Sequence, residues 1–121
     1  MVGGDKMSIL RDVGDALGLI EEDDSFDAEL KMHINATLST LYQNGVGVPF
    51  QIEGKEEDWE EFMEPDILEN DYMSGQIKQY VFLKTKILFD PPPPSSVEHV
   101  SRAADEMLWR LRENYDVLKE E

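Results

Sequence analysis

Apolar side chains recur along much of the chain at intervals of three and four residues, which is the spacing of one face of an amphipathic helix. The first run predicts a short helix that is interrupted near Gly14 and ends around Gly18. Its apolar positions are Ile9, Leu10, Val13, Leu17 and Ile20. The second run predicts a longer helix that starts behind the acids 21–24 and Ser25 and ends where Gly45 can adopt a left-handed cap. Its apolar positions are Phe26, Leu30, Ile34, Leu38 and Leu41.

Two further helices are predicted in the second half of the chain. Residues 72–89 are apolar over much of the helical circumference, which indicates a helix buried on several sides. Asp90 and the prolines 91–94 must end it and form a stiff spacer. Ser95 and Glu98 then have the spacing of a capping box, which predicts the start of a last helix. Its apolar positions are Val97, Val100, Ala104, Met107, Leu108, Leu111, Tyr115 and Leu118.

The segments between these helices differ in character. Residues 1–6 have no periodicity and are expected to form a flexible N-terminus, whereas residues 46–71 are expected to form a connecting loop. Between 53 and 71 this loop carries ten acids and one lysine, and only Trp59, Phe62 and Met63 indicate a turn that packs inward. The length of 121 residues suits one domain. The sequence therefore predicts an all-α fold: one domain over residues 1–121, a small bundle of about four main helices with a long acidic loop between the second and third.

The charge distribution narrows the possible partners. The net charge is −16, and residues 1–71 hold 19 acids and 4 bases, while residues 72–121 hold 8 acids and 7 bases. Such a surface repels phosphates, which excludes attachment to DNA through a basic footprint but allows the protein to face DNA. The chain has no cysteine and no apolar run of the roughly 18–20 residues that a membrane crossing needs. Disulfides, sulfur-ligated zinc and a membrane span are therefore not expected.

No pattern in the sequence indicates an enzyme. The glycines around Val46 follow a helix and lack the lysine of a phosphate-binding loop, and the acid clusters at 21–24 and 56–61 lack the oxygen-ligand order of a calcium loop. The two histidines, His33 and His99, have no convincing metal partner, and 27 acids cannot single out a catalytic pair. We therefore expect no catalytic residue, no metal and no cofactor.

The last predicted helix contains the residue types that dominate binding energy at protein interfaces, which are tryptophan, tyrosine and arginine. The candidate contacts with a partner protein are Arg102, Trp109, Arg110, Arg112 and Tyr115. An alternative stays open for Trp109, because it adjoins the apolar stripe and could equally be buried in the core.

Three segments resemble the head-tail connector (adaptor) family of tailed bacteriophages. They are Leu41–Gly47, Val81–Pro92 and Glu106–Leu111, and the middle one is the most specific, because few apolar helices end in Phe-Asp-Pro-Pro. The resemblance implies a helical protomer in the virion neck, assembled in the host cytoplasm. It also implies a homo-oligomeric ring, commonly dodecameric, that binds the portal and a stopper or tail protein and extends the DNA channel.

Charge and resemblance together suggest a role for the acidic connecting loop 46–71, which we call the acidic segment. DNA slides best past a wall that offers its phosphates no partners. The candidate acidic lumen or loop surface consists of Glu56, Glu57, Asp58, Glu60 and Glu61, and the last helix is the candidate for portal docking. The rival hypothesis is an acidic DNA-mimic inhibitor, which would be a monomer or dimer that competes with DNA for a basic groove.

Overall fold

The computed structural model describes residues 8–19 and 24–120, with only the backbone of 118–120. The predicted flexible residues 1–6, the apolar Ile20 and the acids 21–23 lie outside this description. The described residues form α1 (Ile9–Ala16), α2 (Asp27–Gln43), a 3-10 turn (Trp59–Glu61), α3 (Pro65–Leu68), α4 (Asp71–Phe89) and α5 (Pro94–Glu120). No β-strand occurs in this part of the chain, so the predicted all-α fold is confirmed.

Local capping rules set the ends of the first two helices. The Ser8 hydroxyl accepts a hydrogen bond from the Arg11 N–H at 3.1 Å and so caps α1. Gly18 and Gly45 both have positive φ, at 80° and 85°, and close α1 and α2 in left-handed caps. Behind Gly45, the N–H of Val46 donates to the carbonyl of Leu41 at 2.9 Å. The interruption predicted near Gly14 is wrong, because α1 runs through this residue without a break.

The long helix α4 is the centre of the fold and packs against both α2 and α5. Its buried side chains form one broad face of the helix: Met73, Ser74, Ile77, Tyr80, Val81 and Thr85. The sequence predicted burial on several sides, and outside this face the burial is only partial, at Phe82, Leu83, Ile87 and Phe89. Facing side chains from α1, α2, the 46–71 segment and α5 complete one contiguous core. Burial of this apolar surface, worth roughly 25 cal/mol for each Å², is the main force that holds the helices together.

The predicted capping residue of the last helix is wrong. The last helix begins at Pro94, so Ser95 lies inside its first turn and is not the cap. Proline suits a first helical position, because its ring fixes a helical φ and the N–H it lacks would have no helical partner there. The spacer between α4 and α5 is thereby shortened to residues 90–93. Helix α2 begins at Asp27, behind Ser25 as the sequence predicted, and Phe26 occupies its cap position without a side-chain hydrogen bond.

The acidic segment is more ordered than a solvated loop. The inward packing of Trp59, Phe62 and Met63 is confirmed, since each is at most 4 % exposed. The short helix α3 follows and buries Ile67, which the sequence did not predict. The acids of this segment therefore belong to a folded layer that is attached to the bundle by its own apolar side chains.

Candidate interaction surfaces

One face of α5 points away from the bundle and carries an exposed tryptophan. Arg102, Glu106, Trp109 and Glu113 follow one another at steps of four, three and four residues, which places them on one side of the helix. Trp109 is 59 % exposed, whereas Ala104 and Leu111 on the opposite side are buried. We call these four residues, with Arg110 and Arg112 flanking Trp109, the α5 outer face. Trp109 is therefore not buried in the core of its own chain, and its contact with a partner stays a prediction.

The charges on the α5 outer face pair along the helix. Arg102 Nη2 lies 3.1 Å from Glu98 Oε1, and Arg110 forms the same kind of pair with Glu106. Exposed pairs of this type contribute only about 0.3–0.5 kcal/mol each, because water screens them. They hold charged side chains in place around Trp109 and leave the indole accessible.

Tyr115, the fifth predicted contact, has a different environment. Its side chain is 1 % exposed, and its hydroxyl donates to Glu64 Oε1 at 2.8 Å. Burial raises the pKa of Tyr115 to about 12, and the hydrogen bond to Glu64 adds to this shift. Tyr115 therefore ties α5 to the acidic segment and contributes to the core beneath the outer face.

The five predicted acids at 56–61 divide into two groups. Glu57 accepts hydrogen bonds from the N–H groups of Glu53 and Gly54, at 2.8 and 3.1 Å. Burial of Glu57 opposes its ionisation, but these backbone donors outweigh that effect and hold its pKa below the ordinary value. Asp58 and Glu61 accept from backbone N–H groups in the capping box of the 3-10 turn. These three carboxylates fold the segment locally.

Glu56 and Glu60 make up the second group. Both are exposed. They are the members of the predicted acidic surface whose charge can be changed without removing one of the backbone hydrogen bonds described above.

Hydrogen bonds between residues that are far apart in sequence hold the acidic segment against the helices. The Asn35 side chain on α2 accepts from the Ile52 N–H at 2.8 Å and donates to the Ile52 carbonyl at 3.1 Å. The Trp59 indole N–H donates to Asp12 on α1 at 2.6 Å. The sequence predicted neither contact. An asparagine within a helix, or a tryptophan in a turn, does not indicate which distant group its side chain will bind.

A groove opens where α4 ends and α5 begins. It has a volume of about 520 Å³ and is lined by Leu83, Ile87, Val100 and the prolines 91–93, together with Lys86 and Asp90. We call it the proline groove. Its wall is mostly apolar. The prolines make this wall stiff, because their rings fix the backbone angle φ.

The potential metal ligands of the sequence are not brought together among the described residues. His33 does have a carboxylate one turn away, with Nε2 at 3.6 Å from Glu29 Oε2, but two groups do not make a metal site. Among residues 8–19 and 24–120 no cluster of three or more potential metal ligands occurs. In the same part of the chain, every helix is too short or too polar to cross a membrane.

The described residues form a helical bundle with an outward tryptophan on α5 and an acidic segment packed against the helices. Comparison with protein families gives a match over residues 9–117 to the family described as phage connector protein. The chain therefore belongs to the phage connector proteins, as the resemblance predicted, which points to a structural role in the phage neck. Comparisons with curated proteins and with solved structures give no match.

Proposed function

We propose that this protein is the adaptor of a phage neck, a single-domain, non-enzymatic subunit of a homo-oligomeric ring. The ring is dodecameric, is assembled in the host cytoplasm and joins the portal to the stopper or tail protein. The family match over residues 9–117 carries the proposal. No observation favours the alternative DNA-mimic inhibitor.

The α5 outer face is the proposed contact with the portal or a neighbouring subunit. A tryptophan that is 59 % exposed leaves a large apolar surface in water, and tryptophan and arginine are enriched among the residues that dominate binding. Arg102, Arg110 and Arg112 supply cationic donors on a chain with a net charge of −16. These donors suit a partner that presents carboxylates.

Electron microscopy of the purified chain, alone and with the portal of the same phage, tests the proposed ring. We expect rings in at least one of the two samples. Arg112→Ala is expected to weaken binding to the portal. Met32→Ala, which shortens an exposed side chain on α2, controls for the loss of surface contacts in general. A monomer that competes with DNA for a basic protein would contradict the adaptor function.

The proposed second role is to line the channel with carboxylates, so that double-stranded DNA passes without specific binding. The exposed Glu56 and Glu60 are the acids to reverse, because reversal of the other three would unfold the 3-10 turn or its neighbouring turn. Replacement of both by lysine is expected to preserve assembly and to slow DNA ejection, since lysine supplies partners for phosphates. The control, Asp15→Lys with Asp24→Lys, makes the same charge change at exposed positions elsewhere. Unchanged ejection with normal assembly would reject this role.

A further inference from the structure

The proline groove and Trp109 lie on opposite sides of one helix. Val100, which lines the groove, and Trp109 are nine residues apart on α5. Nine residues correspond to about two and a half turns and about 13.5 Å along the axis, which places the two side chains on opposite faces. Trp109 therefore cannot reach the groove of its own chain, although a second copy placed beside the first could bring its Trp109 to it.

The groove suits an indole ring in size and chemistry. Its volume of about 520 Å³ is sufficient for a tryptophan side chain, and its lining of proline, leucine, isoleucine and valine offers an apolar wall. Because the prolines are already stiff, little conformational freedom is lost when a ring docks against them. An aromatic side chain thus gains burial at a low cost in entropy.

Electrostatics restrict where two copies can meet. Each chain carries a net charge of −16, so copies repel unless the contact uses the least acidic surface available. Residues 72–89 of α4 include no acid and three lysines, and Lys86 from this stretch lines the groove. On the α5 outer face Glu106 pairs with Arg110, whereas Glu113, one turn beyond Trp109, can meet Lys86 when a second copy docks. The carboxylate of Asp90 in the groove can likewise pair with Arg112 of the docked copy.

We propose that the proline groove of one subunit receives Trp109 of a second copy of this chain. The contact is heterologous, because the groove and the tryptophan are different patches, and repeated contacts of this kind close into a ring or extend as a filament. The inference rests on the proposed adaptor function and specifies its subunit interface, with Lys86 facing Glu113 across the contact.

Sedimentation velocity of the full chain, alone and with the portal of the same phage, tests this interface. We expect Trp109→Ala to weaken association between copies by about 30-fold, as for an interface hot spot. Lys86→Glu should weaken it by about 5-fold, and combination with Glu113→Lys should restore most of the loss. Lys84→Glu is the matched control, because it makes the same charge change two residues away, on the other side of α4. Circular dichroism of each variant verifies that the helices are retained.

The possible outcomes separate this interface from the adaptor function. Weakened association in Trp109→Ala and Lys86→Glu, with rescue by the charge swap and a silent control, supports the interface. If Trp109→Ala assembles normally, or loses only portal binding, the interface is overturned while the adaptor function stands. If the unmodified chain neither assembles nor binds the portal, both proposals fail.

Discussion

Gly47 is the described glycine at which an added methyl group meets the closest contacts. Its φ is +85°, a conformation that costs a residue with a side chain about 1 kcal/mol. A Cβ here would lie 2.7 and 2.8 Å from Cε1 and Cε2 of Phe62, closer still to Cζ, and well inside the roughly 3.5–4.0 Å of a normal carbon contact. Phe62 is fully buried, so its ring can move aside only by displacing the side chains packed around it.

Gly47→Ala should therefore lower the free energy of unfolding by about 2–4 kcal/mol, the sum of the backbone cost and about 1–3 kcal/mol of overpacking. Urea unfolding followed by circular dichroism measures this quantity. Gly45→Ala is the matched control, because Gly45 has the same φ of +85° and nothing within 4 Å of its added Cβ. It should cost only about 1 kcal/mol.

The Phe62 ring can be tested directly as the cause. In a chain that already carries Phe62→Leu, the added methyl at residue 47 no longer meets the ring, so its cost should fall toward that of the Gly45 control. Equal losses for Gly47→Ala and Gly45→Ala in the unmodified background would refute the reasoning.

Three further substitutions probe single polar groups, each by urea unfolding. Thr85→Val should raise the free energy of unfolding by about 1 kcal/mol, because the Thr85 hydroxyl is fully buried without a hydrogen-bond partner; a loss of stability would contradict this. Asn35→Ala should lower it by about 2 kcal/mol or more, since both backbone groups of Ile52 lose their partner, and a neutral result would show that water replaces the amide. Tyr115→Phe concerns pH: because folding raises the pKa of Tyr115 from 10.0 to about 12, its contribution is complete below about pH 10 and is lost as the pH rises toward about 12. The free energy of unfolding of Tyr115→Phe should fall less steeply over this pH range than that of the unmodified chain. The same slope in both proteins would contradict the raised pKa of Tyr115.

The sequence by itself determined those features that depend on near neighbours. Gly18 and Gly45 end their helices because a left-handed residue closes the cap through hydrogen bonds to the preceding turn. The proline run ends α4 at Phe89 because proline disfavours helical geometry in the residue before it. Where two local signals competed, at Pro94 and Ser95, the sequence alone led to the wrong helix start.

The tertiary structure alone decided which side chains reach solvent and which distant groups meet. Tyr115 and Trp109 lie six residues apart on one predicted helix, yet Tyr115 is 1 % exposed and Trp109 is 59 % exposed. The bonds of Tyr115 to Glu64 and of Trp59 to Asp12 span 51 and 47 residues. Periodicity places a residue on a face of its own helix, but only the packing of α4 and the acidic segment against that helix determines which face is covered. The proline groove likewise exists only where the end of α4 and the start of α5 are brought together.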